Sequence, residues 1–199
     1  MSLDCYQLSL LSGPSSEPVT LAECKLATRI ESTSEDDFLD QLITAAREQI
    51  EVDTDLKLMP QTWRLTLEQF PWCCGGGESA IELPIWPVSA VTVKYDDVNG
   101  TEQTLPSNHY YLRSSAYPAV IYPEINYYWP VTSVRAGSVR IDITAGFASA
   151  AAVPMRAKQA LFMLFGHWVE HRHLSTSKNY SDISFAYQAL TVGLRPGMV

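Results

Sequence analysis

Apolar residues in the first third of the chain recur at a helical interval. Leu39, Ile43, Ala46 and Ile50 fall three or four positions apart, and Phe38 and Leu42 widen the stripe. This spacing predicts an amphipathic helix from about Glu35 that fades near Asp53-Thr54-Asp55. Glu35, Asp36 and Asp37 fill its first turn, where the positive end of the helix dipole favours anions. A shorter helix precedes it, opened by Pro18-Val19-Thr20 and running to about Arg29. Thr20 and Glu23 have capping-box spacing, in which each side chain satisfies the other's free backbone N–H. Residues 1–17 read as an extended arm, broken by Gly13, Pro14, Ser15 and Ser16.

The period then changes from helical to two-residue alternation. Trp63, Leu65 and Leu67 share one face of a strand, and Arg64, Thr66 and Glu68 the other. Pro71 ends that strand, and Gly75-Gly76-Gly77 predicts a flexible loop. Ala80–Leu83, Ala90–Tyr95 and His109–Arg113 read as short strands. Asn99-Gly100 marks the tip of a hairpin between Val91–Tyr95 and Glu102–Leu105. Gly137–Thr144 alternates Val139, Ile141 and Ile143 against Arg140, Asp142 and Thr144.

The helical period returns at Pro154, a residue suited to a first helical turn because its missing N–H costs nothing there. Ala157, Ala160, Leu161, Leu164, Phe165 and Trp168 form one stripe, and His171, Arg172 and His173 suit the negative C-terminal end. Leu174–Ser184 is polar, and Phe185–Leu190 reads as a last short helix. The expected fold class is therefore α+β, with an N-terminal helix pair packed on a C-terminal helix and a mostly antiparallel β-rich middle layer. It reads as a single domain over residues 1–199, composed of an arm (1–17), a helical pair (18–55), a β-rich middle (61–147) and C-terminal helices and tail (154–199).

Composition adds exclusions. The chain has 199 residues, a formal charge of −8 and 46% hydrophobic residues, ordinary values for a globular protein. The charge is uneven. Residues 1–55 hold 12 acids against three bases, Lys25, Arg29 and Arg47. An acidic first part repels phosphate, which argues against a dedicated nucleic-acid binder. No apolar stretch approaches the ~20 residues of a membrane span, and residues 1–20 lack the basic and apolar regions of a secretory signal. The four cysteines, Cys5, Cys24, Cys73 and Cys74, show no Cys-x-x-Cys spacing and read as free thiols.

Few residues carry the pattern of a catalyst. His167-Trp168-Val169-Glu170-His171 matches the His-x-x-Glu-His of inverted zinc peptidases and would place two histidines on one helical face. That chemistry draws its third ligand from a downstream glutamate, and none follows Glu170. Ser175-Thr176-Ser177-Lys178 has Ser-x-x-Lys spacing without its Lys-Thr-Gly partner motif. Gly75-Gly76-Gly77 lacks the lysine of a phosphate loop. The aromatic run Tyr110-Tyr111, Tyr117, Tyr122 and Tyr127-Tyr128-Trp129 has no interleaved basic cluster, so sheet packing or protein contact is favoured over base stacking.

A larger pattern joins these pieces. Glu17-Pro18-Val19-Thr20-Leu21-Ala22-Glu23 resembles the opening helix of the head–tail connector (adaptor) family of long-tailed phages and prophages. Glu35–Glu51, with Ala45-Ala46-Arg47, resembles its second helix, and Gln61–Leu67 with Phe70-Pro71 its first strand. Leu83-Pro84, Pro87-Val88, Val91, Trp129-Pro130, Ala145-Gly146-Phe147, Val153-Pro154, His167-Trp168 and Phe185–Leu190 follow in the family's order. The resemblance spans about 180 residues and departs from the family at Cys73-Cys74-Gly75-Gly76-Gly77 and in the aromatic insert Tyr117–Trp129.

The resemblance implies a structural virion protein, not an enzyme, with no cofactor and no catalytic or metal residues. Its implied partners are a portal protein, a stopper or tail-completion protein, and further copies of itself in a ring, dodecameric in the virion. Genomic DNA would pass through the ring without specific binding, and no membrane is involved. The protein would reside in the host cytoplasm before assembly and in the virion afterwards. A head-to-tail ring needs two complementary faces. The expected faces are acidic, with Glu35, Asp36 and Asp40, and cationic, with Arg135, Arg140, Arg156, Lys158 and Arg172. Two rival readings come from other classes. One is a metal-dependent hydrolase using His167, Glu170 and His171, and the other a sugar-binding tail module built on the tyrosines.

Overall fold

The computed structural model describes residues 6–71, 80–171 and 181–194. Among the described residues the fold is α+β, with four α-helices and eight strands paired antiparallel. The chain divides into two compact units. One gathers Met1–Gly13 and Pro60–Gly146, and the other Pro14–Met59 and Phe147–Val199.

The second of these is helical. Helix α1 (Leu21–Thr28) begins at the expected capping box. Thr20 N donates to Glu23 Oε2 at 2.7 Å, and Glu23 N donates back to Thr20 Oγ1 at 3.2 Å. Arg29 ends the helix in the left-handed region. Helix α2 (Asp36–Thr54) buries Leu39, Ile43, Ala46 and Ile50, the stripe read from its spacing. Helix α3 (Met155–Glu170) packs against both α1 and α2, so the helix pair and the C-terminal helix share a core. Helix α4 (Ser181–Val192) is longer than the Phe185–Leu190 expected and packs on α3.

The stripe on α3 needs one correction. Ala157, Ala160, Leu161 and Phe165 are fully buried, whereas Leu164 and Trp168 are half-buried. The buried set recurs at 3–4 residue steps along one line, and Leu164 and Trp168 lie to one side of it.

Polar groups also enter this core. Arg47 on α2 is 4% exposed. Its Nε donates to Glu17 Oε2 at 2.8 Å, and its Nη1 lies 3.4 Å from Glu51 Oε2. Glu51 in turn accepts from Leu58 N at 2.9 Å. The network ties the segment before α1 and the segment after α2 to one buried guanidinium. A buried charge is tolerable only when paired in this way.

The β unit contains two sheets facing one hydrophobic core. Strands β1 (Tyr6–Ser12), β2 (Gln61–Leu67), β3 (Ile81–Leu83), β4 (Val88–Asp96), β5 (Glu102–Thr104), β6 (Tyr110–Arg113), β7 (Ala119–Pro123) and β8 (Val139–Ala145) form it. The larger sheet runs β1-β2-β8-β4-β5 and the smaller β3-β7-β6. Leu65, Leu67, Ile81, Leu83, Val93, Ile121, Ile141 and Ile143 are among the side chains enclosed between them. Strand β8 alternates strictly, with Val139, Ile141, Ile143 and Ala145 buried and Arg140, Asp142 and Thr144 half-buried. The β4–β5 hairpin turns at Asn99-Gly100 as expected. Asp97 accepts from the N–H groups of Asn99 and Thr101, and Gly100 takes φ +79°, a conformation cheap only for glycine.

Two strands depart from the sequence reading. Residues 6–12 are no free arm: they pair with β2 from Tyr6↔Leu67 to Ser12↔Thr62, with an irregularity between Leu10 and Ser12. Leu8 is packed against the core, and that contact orders the segment. Strand β7 lies inside the aromatic insert, where Ala119, Val120 and Ile121 are buried consecutively. A strand buried on both faces loses its alternation and reads as a plain apolar run.

Candidate functional site

The expected acidic face sits on α2. Glu35 occupies its N-cap position without a side-chain capping bond, and Glu35 and Asp40 are exposed. Asp36 is bound within the chain, its Oδ1 accepting from Lys25 Nζ at 2.6 Å. The expected cations divide in the same way. Arg135 and Arg156 are exposed and Lys158 is half-buried. Arg140 is held by its own sheet: its guanidinium pairs with Asp96, and its Nη2 reaches Glu102 Oε2 at 2.9 Å. The Arg140 contact holds the Asp96 carboxyl below the usual carboxylate range. Arg172 lies outside the described residues, as do Cys5, Cys73, Cys74 and Ser175–Lys178. Cys24 is a buried free thiol, and burial pushes its pKa up to about 12, so it is a packing residue and not a nucleophile.

The histidine motif lies at the end of α3. The rings of His167 and His171 stand 4.7 Å apart, nearly perpendicular. His167 and Glu170 border a hollow of about 400 Å³ together with Thr28, Arg29, Phe162 and Gly166. Among the described residues, no group of three His, Cys, Asp or Glu side chains is placed to hold a metal ion. None of the described helices is long and apolar enough to cross a membrane.

The aromatic run from Tyr110 to Trp129 does two things. Trp129 stacks face to face on Phe70, with centroids 4.8 Å apart and planes at 1°, and Phe70 meets Tyr95 edge-on. Tyr110 is half-buried, and its hydroxyl donates to Val91 O at 3.0 Å. These rings pack. Tyr111, Tyr127 and Tyr128 instead stand exposed, together with Ile125, Val131 and Val134. Exposed apolar side chains also mark β1, at Tyr6, Leu10 and Leu11. The sequence reading passed over the aliphatic members of both groups. The signal was there, as uncharged runs at residues 6–12 and 125–134.

Comparison with known proteins gives this surface its context. Residues 18–91 match the family described as Phage gp6-like head-tail connector protein. No curated protein matches by sequence. Among solved structures, a chain in the neck of an empty gene transfer agent (GTA) particle, computed with C6 symmetry, superposes with a TM-score of 0.78 and 26% identity over 97% of both chains. A chain in the virion of the native GTA particle gives 0.77 and 27%, again over 97% of each. A chain in the native GTA neck computed with C12 symmetry gives 0.69 and 26% over the same share. The family match spans α1, α2, β2, β3 and the start of β4, and the likeness to the GTA neck chains runs end to end, so this chain is similar to gp6-like head–tail connector proteins over that stretch and to a virion neck protein over nearly its whole length.

Proposed function

We propose that this protein is a structural component of a phage-type virion, where copies form a ring between head and tail and extend the DNA conduit. The observation that carries the reading is the GTA neck chain, which shares the fold across 97% of both chains. Its partners are the portal protein on the head side and a stopper or tail-completion protein on the other. The ring is dodecameric and is built from subunits that wait in the host cytoplasm. Its role is mechanical, without enzyme activity or cofactor. The acidity suits a conduit: a surface with little affinity for phosphate lets DNA slide. The exposed acids Glu35 and Asp40 facing Arg135, Arg156 and Lys158 of a neighbour would steer encounter and set register more than they add affinity.

The test is sedimentation of the purified protein with its cognate portal protein at low and high salt. A complex at low salt that weakens as salt rises is expected. Two folded proteins that fail to associate at low salt would overturn the reading.

A further inference from the structure

The β unit carries two uncharged surfaces, a strand edge and a loop. One is the outer edge of β1. Its neighbour on one side is β2, and among the described residues its other side is an edge. Residues 6–12 contain neither charge nor proline, the usual devices that protect such an edge. Tyr6 and Leu10 stand opposite Leu67 and Trp63 of β2, yet about half of each remains exposed. The opposite edge, β5, is protected: it is three residues long and carries Glu102, which is paired with Arg140.

The second face is the segment 125–134 between β7 and β8. It too holds no charged residue. It is fixed at two points. Trp129 is stacked on Phe70, and Ser133 N donates to Asp96 O, at the end of β4, at 3.1 Å. Between and around these anchors Ile125, Tyr128, Val131 and Val134 point outward, with Tyr128 92% exposed. A large aromatic side chain offers roughly 150–250 Å². Together these residues present several hundred Å², the same order as the ~800 Å² each partner gives to a standard interface. An exposed, largely apolar surface of that size marks a binding face.

We infer that the occupant is a second copy of this chain, with segment 125–134 of one subunit seated on the β1 edge of the next. Three observations select a copy of the chain over another partner. A head-to-tail ring requires two different faces on each subunit, and these two differ in kind, one a strand edge and the other a loop. Both lack charge, so each fits the other and neither fits a phosphate backbone. The similar GTA necks were computed with C6 and C12 symmetry, the arrangement of identical copies about an axis. The inference rests on the ring reading and adds its contact. The charged groups on and around the helical unit steer the approach, and the uncharged faces supply the burial.

The experiment places a photo-cross-linker in complete particles by Tyr128→p-benzoylphenylalanine, a change at an exposed side chain, with the necks imaged in parallel. The expected product is a dimer of this chain whose linked peptide contains residues 6–12. A ring in the images, with links to another segment of the neighbour or to a different protein, overturns the seating and leaves the ring reading intact. Wild-type particles whose necks lack this chain overturn the ring reading itself. Leu11→Lys is the second arm, placing a charge on the exposed edge. It should leave melting of the purified protein unchanged and reduce complete particles at least tenfold. Undiminished particle numbers overturn the seating.

Discussion

The Asp142 carboxylate accepts two hydrogen bonds from the Arg64 guanidinium, at 2.7 Å from Nε and 2.9 Å from Nη2, across the β2–β8 pair. Lys94 Nζ approaches the same carboxylate at 3.5 Å from β4. The three residues form a charged row on the face of the sheet away from its core, and the pairing with Arg64 holds the Asp142 carboxyl below its ordinary value of 3.8. A carboxylate depressed in the folded state contributes stability that is present above the unfolded pKa and lost as pH falls toward the folded one. Asp96 behaves alike through Arg140, and Glu23 through the Thr20 backbone N–H. The protein should therefore hold its stability down to about pH 4 and lose it below. Asp142→Asn should cost about 1 kcal/mol at pH 7 and flatten the acid limb. Urea midpoints measured from pH 7 to pH 3 check this, and an unchanged acid limb would contradict it.

Arg47 offers a sharper test in the helical unit. Its guanidinium is buried between Glu17 and Glu51, and Glu51 is itself 4% exposed. Removing the cation leaves Lys57, 3.8 Å from Glu51 Oε2, to balance a buried carboxylate, a loss on the order of 3 kcal/mol at most. Arg47→Met should show that cost in chemical denaturation. The double variant Arg47→Met/Glu51→Gln should recover part of it, because residues in one network are not additive. Additive losses would show that the two side chains do not act as a pair.

How far the sequence spoke depended on where each residue's partner lay. The capping box, the α2 stripe and the alternation of β8 were legible because their determinants are local. Strand β1 was misread because Gly13-Pro14-Ser15-Ser16 isolates it, and the contact that orders it, Leu8 beside Leu65, is more than fifty residues away in the chain. Strand β7 was hidden because a doubly buried strand carries no alternation. For the assembly residues, sequence supplied charge but not availability. Asp36 and Arg140 look like free surface charges until Lys25, Asp96 and Glu102 are seen to hold them.

The correction on α3 has a measurable consequence. Leu161 is fully buried, and Leu164, one turn position aside, is not. Leu161→Ala should cost about 2–5 kcal/mol, the range for a truncated buried leucine whose cavity persists. Leu164→Ala should cost well under half as much, since water can fill the space it leaves. Equal losses in paired urea titrations would return Leu164 to the core and displace the stripe.

The last prediction concerns how α4 is held. The Tyr187 hydroxyl donates to Asp53 Oδ2 at 2.6 Å, joining α4 to the end of α2. Around this bond the helix presents mostly exposed residues, with Phe185 and Val192 facing outward. Burial and then the Asp53 carboxylate push the Tyr187 phenol above its ordinary value of 10. The sign follows: a group whose proton is held more tightly when folded contributes stability fully present below the unfolded pKa, and lost as pH rises past it. Helix α4 should thus stay docked at neutral pH and loosen above pH 10. A hydrogen bond to a charged acceptor contributes about 1.5–3 kcal/mol, and a helix with few buried side chains has little else to replace it. Tyr187→Phe should therefore speed amide exchange in residues 185–192 by roughly tenfold or more, using 1.4 kcal/mol per factor of ten. Protection in α2 and α3 should be nearly unchanged, because α4 opens locally and not with the whole unit. Hydrogen exchange read by mass spectrometry checks both halves. Uniform loss of protection across α2, α3 and α4 would show that Tyr187 supports the entire helical core, and unchanged exchange in α4 would show that packing on α3 alone holds it.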